Sequence, residues 1–188
     1  MTARDDFERE LLSAITAVHR FAVHLTRDTV QAEDLVQETY LRALAHRDQY
    51  QPGTNCRAWL FKICRNAFLK GMARADREQP TDDADLEALA ATGLHASVAG
   101  TDPEGAVFEQ PELSDAVARA MSSLPEEYRT VVALVDLEDQ SYAEAADVLS
   151  VPVGTVRSRL FRARRLLQAD LLVYAEDAGL LARAKGGA

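Results

Sequence analysis

Apolar residues recur at spacings of three and four through most of the chain, the period of an amphipathic helix. Phe7, Leu11, Ile15, Val18, Ala22 and Leu25 form one such series and predict a helix over 5–25. Leu35, Val36, Tyr40, Leu41 and Leu44 form the apolar set of a second helix over 29–46. A Pro-Gly pair at Pro52 and Gly53 marks a loop over 49–55. Trp59, Leu60, Ile63, Cys64 and Ala67 then predict a third helix over 55–75. No stretch alternates with the period of a strand, so the chain reads as all-α.

The pattern lapses after that. Between 76 and 113 the apolar residues are sparse and small, and Pro80, Pro103 and Pro111 interrupt the run. This reads as a flexible acidic linker holding at most one short helix, near 83–91. The organisation expected is therefore two small helical domains, at 1–76 and 113–175, joined by a linker at 77–112 and followed by a tail at 176–188.

Helical periodicity resumes in the second domain, with sharper punctuation. Ser141 and Glu144 have the spacing of a capping box, in which each side chain satisfies an orphan backbone N–H. The helix they open ends near Leu149, and Ser150 and Val151 form the turn. Pro152 suits the first position of a new helix, where its missing N–H costs nothing. Two short helices joined by a tight turn are a helix-turn-helix. At about 100° per residue, Val156, Leu160, Ala163 and Leu167 share one stripe of the second helix. Arg157, Ser158, Phe161, Arg162 and Arg165 share the opposite side, and Arg159 and Arg164 flank the stripe. Five arginines and no acid lie between 152 and 168. An apolar stripe that docks and a basic face left free make a major-groove reader. Arginine can take guanine edges or grip phosphates, and Phe161 can cover a thymine methyl or a sugar.

Charge first argues against a nucleic-acid partner, because the formal net charge is −9. Its distribution removes the objection. Residues 1–75 carry 11 basic and 9 acidic side chains, residues 76–113 carry 1 and 10, and residues 114–188 carry 9 and 11. The imbalance belongs to the linker, and local patches decide binding. Cys56 and Cys64 would lie roughly 12 Å apart along a helix, too far for a disulfide. They read as small buried hydrophobes and have no metal-ligand spacing with His19, His24, His46 or His95. No Gly-rich phosphate loop, metal cluster or nucleophile with a base partner points to catalysis or a cofactor. No apolar run approaches the roughly 20 residues of a membrane span, and the charged N-terminus lacks a signal peptide's apolar core. A cytoplasmic protein without membrane insertion is expected.

Two blocks carry a family resemblance. LPEEYRTVVALVDLEDQSYAEAADVLSVPVGTVRSRLFRARRLL resembles region four of bacterial sigma-70 family sigma factors of the extracytoplasmic-function group. One departure is Ser150, where the family often has glycine. AEDLVQETY, from Ala32, and PGTNCRAWLFKICRN, from Pro52, resemble region two. The resemblance implies an alternative sigma factor without catalysis of its own. Asp34, Leu35, Gln37 and Glu38 would then contact core RNA polymerase, at the clamp helices of its largest subunit. Tyr50, Asn55, Arg57, Lys62, Arg65 and Asn66 would open and read the −10 element of promoter DNA. Thr155, Arg157, Ser158, Phe161, Arg162 and Arg165 would read the −35 element, with the beta flap a further polymerase contact. Control by an anti-sigma factor is also implied. Two rival readings remain open: a helix-turn-helix regulator that acts without polymerase, and an adaptor that docks only on other helical proteins.

Overall fold

The computed structural model describes residues 3–78 and 111–177. They form eight α-helices and no strand: α1 (Ala3–Ser13), α2 (Ile15–Thr26), α3 (Thr29–Ala45), α4 (Cys56–Glu78), α5 (Pro111–Ser123), α6 (Glu126–Val132), α7 (Tyr142–Leu149) and α8 (Val153–Asp177). A 3₁₀ turn spans Arg47–Gln49 and a π turn spans Ala133–Leu137. The fold is all-α, as the periodicity requires. The short helix expected near 83–91, most of the linker and the end of the tail lie outside the described residues.

The first helix differs from its expected form. It breaks at Ala14, whose backbone (φ −93°, ψ −3°) leaves regular helix. Ala14 then fills the core position expected of Ile15, and Ile15 is 46% exposed. The break tips α1 so that Phe7 meets the rings of Tyr50 and Trp59, at centroid distances of 5.3 and 6.2 Å. Beyond it Val18, Phe21, Ala22 and Leu25 are buried as the period demands, with Phe21 4.9 Å from Phe61 of α4.

Asp28 caps α3 by accepting the Gln31 N–H at 2.9 Å. The buried face of α3 is Ala32, Leu35, Thr39 and Ala43. Of the apolar set, Leu41 and Leu44 point outward, 64% and 49% exposed. Small side chains let α3 lie close between α2 and α4, where long leucines would not fit. The Thr39 hydroxyl stays satisfied in the core by donating to the Leu35 carbonyl at 2.7 Å.

On α4, Leu60, Phe61, Cys64 and Ala67 enter the core. Both cysteines are free and buried, as expected, and burial pushes their thiols up to about 11 at Cys56 and about 12 at Cys64. They are poor nucleophiles there.

In the second half the capping box forms as read, with the Ser141 hydroxyl on the Glu144 N–H and the Glu144 carboxylate on the Ser141 N–H. Ser150 ends α7 in the left-handed region (φ 54°, ψ 44°). Its N–H and that of Val151 return to carbonyls of the last turn of α7, closing the helix as a glycine cap would. Arg159 and Arg164 tie α8 down, pairing with Glu127 at 2.7 Å and with Asp136.

The two halves touch. Helix α7 packs on α4 and α6 on α2, and the buried apolar residues of both halves form one continuous cluster. Arg129 of α6, only 4% exposed, donates to the His24 carbonyl of α2 at 2.7 Å.

Candidate nucleic-acid interface

Helix α8 is built as its pattern requires. Val156, Leu160 and Ala163 are buried, while Arg157, Ser158, Phe161, Arg162 and Arg165 are exposed. Thr155 is half-buried at the start of this face. Phe161 is 64% exposed, an aromatic ring set among cations with nothing over it among the described residues. The Ser158 hydroxyl donates to the Thr155 carbonyl at 3.0 Å. Arg157 lies over the ring of Tyr142 at 5.8 Å, a cation-π contact that holds its guanidinium at the mouth of the turn. Arg159 and Arg164 are held by their acidic partners, whereas Arg157, Arg162 and Arg165 lie on the exposed face.

The α3 set divides. Asp34, Gln37 and Glu38 are exposed, with Glu38 paired to Arg42 at 2.6 Å. Leu35 is 9% exposed and belongs to the protein's own core. The expectation that it offers an apolar anchor to a partner is corrected by that burial. Val30, Leu41 and Leu44 are the exposed apolar residues of α3, and with Asp34 and Gln37 they recur at spacings of four and three along one outward face. The spacing was visible in the sequence, but it competed with an alanine and threonine stripe that proved to be the inner one.

The α4 set divides as well. Tyr50 is only 7% exposed. Its ring sits between Phe7 and Trp59, at 5.3 and 5.2 Å, and its hydroxyl donates to Glu10. Burial and that carboxylate raise its pKa, so the phenol stays protonated. Tyr50 braces the loop from beneath instead of facing a ligand. Asn66 is exposed and, with Arg42, His46, Gln49, Trp59 and Ile63, lines a hollow of about 200 Å³ between α3, the 3₁₀ turn and α4. Trp59, half-buried, thus reaches both the core and this hollow. Arg65 is half-buried, and desolvation lowers its pKa.

Asn55, Arg57 and Lys62 are occupied by the second half of the chain. Asn55 caps α4 by accepting the Ala58 N–H at 3.1 Å, while its amide donates to Gln140 at 3.2 Å and Glu144 at 2.7 Å. Arg57 donates to the Glu138 carboxylate at 2.8 Å and to its carbonyl at 2.9 Å. Lys62 pairs with Asp147 at 2.8 Å.

Comparison with known proteins gives the family. Residues 13–78 match the model of sigma-70 region 2, and residues 114–167 match that of sigma-70 region 4. An ECF RNA polymerase sigma factor of Rhodopseudomonas palustris, EcfG, is 38% identical over 181 residues, 95% of this chain and 93% of its own. The chain belongs to the extracytoplasmic-function group of the sigma-70 family. SigM of Bacillus subtilis, a further ECF sigma factor, is 31% identical over 81% of this chain and 86% of its own. Among solved structures, the sigma factor RpoE of Bartonella quintana, in complex with the anti-sigma factor NepR, is 34% identical. It matches with a TM-score of 0.71 over 89% of this chain and 98% of its own. CnrH, solved with the cytosolic domain of CnrY, matches at 25% identity and a TM-score of 0.60 over 90% of each chain.

Proposed function

We propose that this chain directs core RNA polymerase to a two-part promoter. The outward face of α3, with Asp34, Gln37, Glu38, Leu41 and Leu44, docks on the clamp helices of the largest subunit. Helix α4 and its preceding loop engage the −10 element. Asn55, Arg57, Lys62 and Arg65 serve the backbone and base edges, and the hollow beside Asn66 receives an unstacked base. Helix α8 reads the −35 element in the major groove through Arg157, Ser158, Phe161, Arg162 and Arg165. Thr155 faces the phosphates at its start, and the beta flap supports the same domain.

The observation that carries this reading is the sorting of arginines on α8. Two are spent on docking the helix, and three surround an exposed phenylalanine. Catalysis stays with the polymerase, and no cofactor enters the scheme. No described helix is long and apolar enough to cross a membrane, and the proposed place of work is the cytoplasm, where promoter and polymerase meet. Control by an anti-sigma factor, as in the Bartonella complex, completes the proposal.

Affinity for purified core polymerase tests it. Glu38→Lys and Leu41→Glu change exposed positions, so both variants fold and both bind core at least tenfold more weakly, about 1.4 kcal/mol or more. Unchanged affinity in both would remove the polymerase assignment and favour a regulator that acts alone.

A further inference from the structure

Three of the side chains assigned to the −10 element, on α4 and at its N-cap, are covered by carboxylates and an amide of the same chain. Arg57 meets Glu138, Asn55 meets Gln140 and Glu144, and Lys62 meets Asp147. All four covering residues come from one short segment, 138–147, which runs from the residue after the π turn into α7. The segment is shaped for the task. The π turn at Ala133–Leu137 adds a residue to the helix, so that the Glu138 N–H bonds the Ala133 carbonyl at 3.0 Å. Asp139 then turns the chain through the left-handed region at φ 53°. Together they place Glu138 fully buried, its two carboxylate oxygens taken by Arg20 of α2 at 2.9 and 3.1 Å and by Arg57 at 2.8 Å. Gln140, 4% exposed, holds the Glu138 carbonyl at 2.8 Å and so fixes the turn.

We propose that this segment is an internal imitation of the DNA backbone, a carboxylate cover that docks on the −10-reading face of α4 and withholds it until the two domains part. Carboxylates bind arginine and lysine by the same charge-assisted hydrogen bonds that phosphates use. Strand and cover therefore compete for the same donors. The cover is selective. It leaves the outer face of α3 exposed, and it leaves Arg157, Phe161, Arg162 and Arg165 of α8 exposed. The closed protein can thus meet polymerase and a −35 element while its −10 reader stays shut. The cover is also releasable. Arg20 and Arg57 are 45% and 39% exposed and Asp147 is 70% exposed, so water or phosphate can replace each partner. The exposed Lys62–Asp147 pair contributes little and weakens with salt.

This proposal rests on the assignment of α4 to the −10 element, and its test separates the two. The probe is a fluorescein-labelled pool of random single-stranded DNA, titrated against the full chain and its Glu138→Gln, Asp147→Asn double variant. Both substitutions keep the side-chain shape and spare the capping box. The double variant binds the pool about tenfold more tightly than the parent, a change of about 1.4 kcal/mol. Its radius of gyration by small-angle scattering increases, and adding Arg57→Ala and Lys62→Ala abolishes the gain. An unchanged affinity, whether or not the radius grows, overturns the cover. A gain that survives loss of Arg57 and Lys62 also overturns it, because the covered cations would then not be the DNA ligands. Run-off transcription by the parent chain with core polymerase reads the sigma assignment separately, and its absence would sink that assignment whatever the titration shows.

Discussion

Arg57 and Glu138 stand 81 positions apart in sequence and meet at 2.8 Å, across the seam between the two halves of the molecule. Arg20 approaches the same carboxylate from the other side at 2.9 Å. The arrangement is asymmetric. Glu138 is fully buried, whereas both arginines keep contact with water. Replacing the carboxylate by Glu138→Gln therefore leaves two guanidiniums that water can solvate, at a cost of about 1 kcal/mol. Removing both arginines strands a buried charge and costs about 3 kcal/mol. Urea denaturation of the two variants checks the order. A larger loss in Glu138→Gln than in the Arg20→Ala, Arg57→Ala double variant would contradict it.

Ser150 carries a conformation that favours glycine, at φ 54° with a side chain present. Relief of that strain in Ser150→Gly outweighs the added freedom of the unfolded chain, and stability rises by about 0.5–1 kcal/mol. Binding of α8 to DNA is unaffected, because the cap's hydrogen bonds are made by backbone. A fall in the melting temperature would show that the strain is compensated locally.

The arginines of α8 should separate by role. Arg162→Ala removes a DNA ligand and weakens −35 binding by about 1–3 kcal/mol with no loss of stability. Arg164→Ala removes the pair with Asp136 instead. It lowers stability by up to about 1 kcal/mol and leaves sequence preference intact. Phe161→Ala follows Arg162, since its ring is 64% exposed and supports nothing in the core. Gel-shift titrations beside thermal melts read both axes.

The helix-turn-helix was legible because its signals are local. A capping box, a proline at the helix start and an unbroken basic face sit within a few residues of one another. Helix α3 was less so. Its sequence holds two stripes of helical period, one of leucines and one of Ala32, Thr39 and Ala43, and periodicity does not say which turns inward. Close packing against α2 and α4 decides for the small residues, which moves Leu41 and Leu44 to the surface and Leu35 into the core. Tyr50 was misjudged because its burial depends on Phe7, brought over by the break at Ala14. Glu138 gave no signal at all. Its burial needs a π turn and two arginines 81 and 118 positions away.

His24 predicts how the fold responds to acid. Burial, then the charges of Arg129 and Arg20, lower its pKa from 6.5 to about 4. The unfolded chain thus binds a proton at His24 between about pH 6.5 and pH 4 that the folded chain refuses. Stability contributed by the neutral ring is present above pH 6.5 and falls as pH drops through that window. The melting temperature should decline from pH 7 to pH 5, and His24→Gln should flatten that decline. An equal decline in the variant would place the acid sensitivity elsewhere.

The proposed function requires one chain to join polymerase to a two-part DNA signal. Run-off transcription from a randomised promoter library, with purified core polymerase and this protein alone, tests it most directly. The expected transcripts come from templates that share two conserved blocks at a fixed spacing, with the upstream block lost in Arg162→Ala and all transcripts lost in Glu38→Lys. Transcripts no more selective than those of core polymerase without the protein would contradict it.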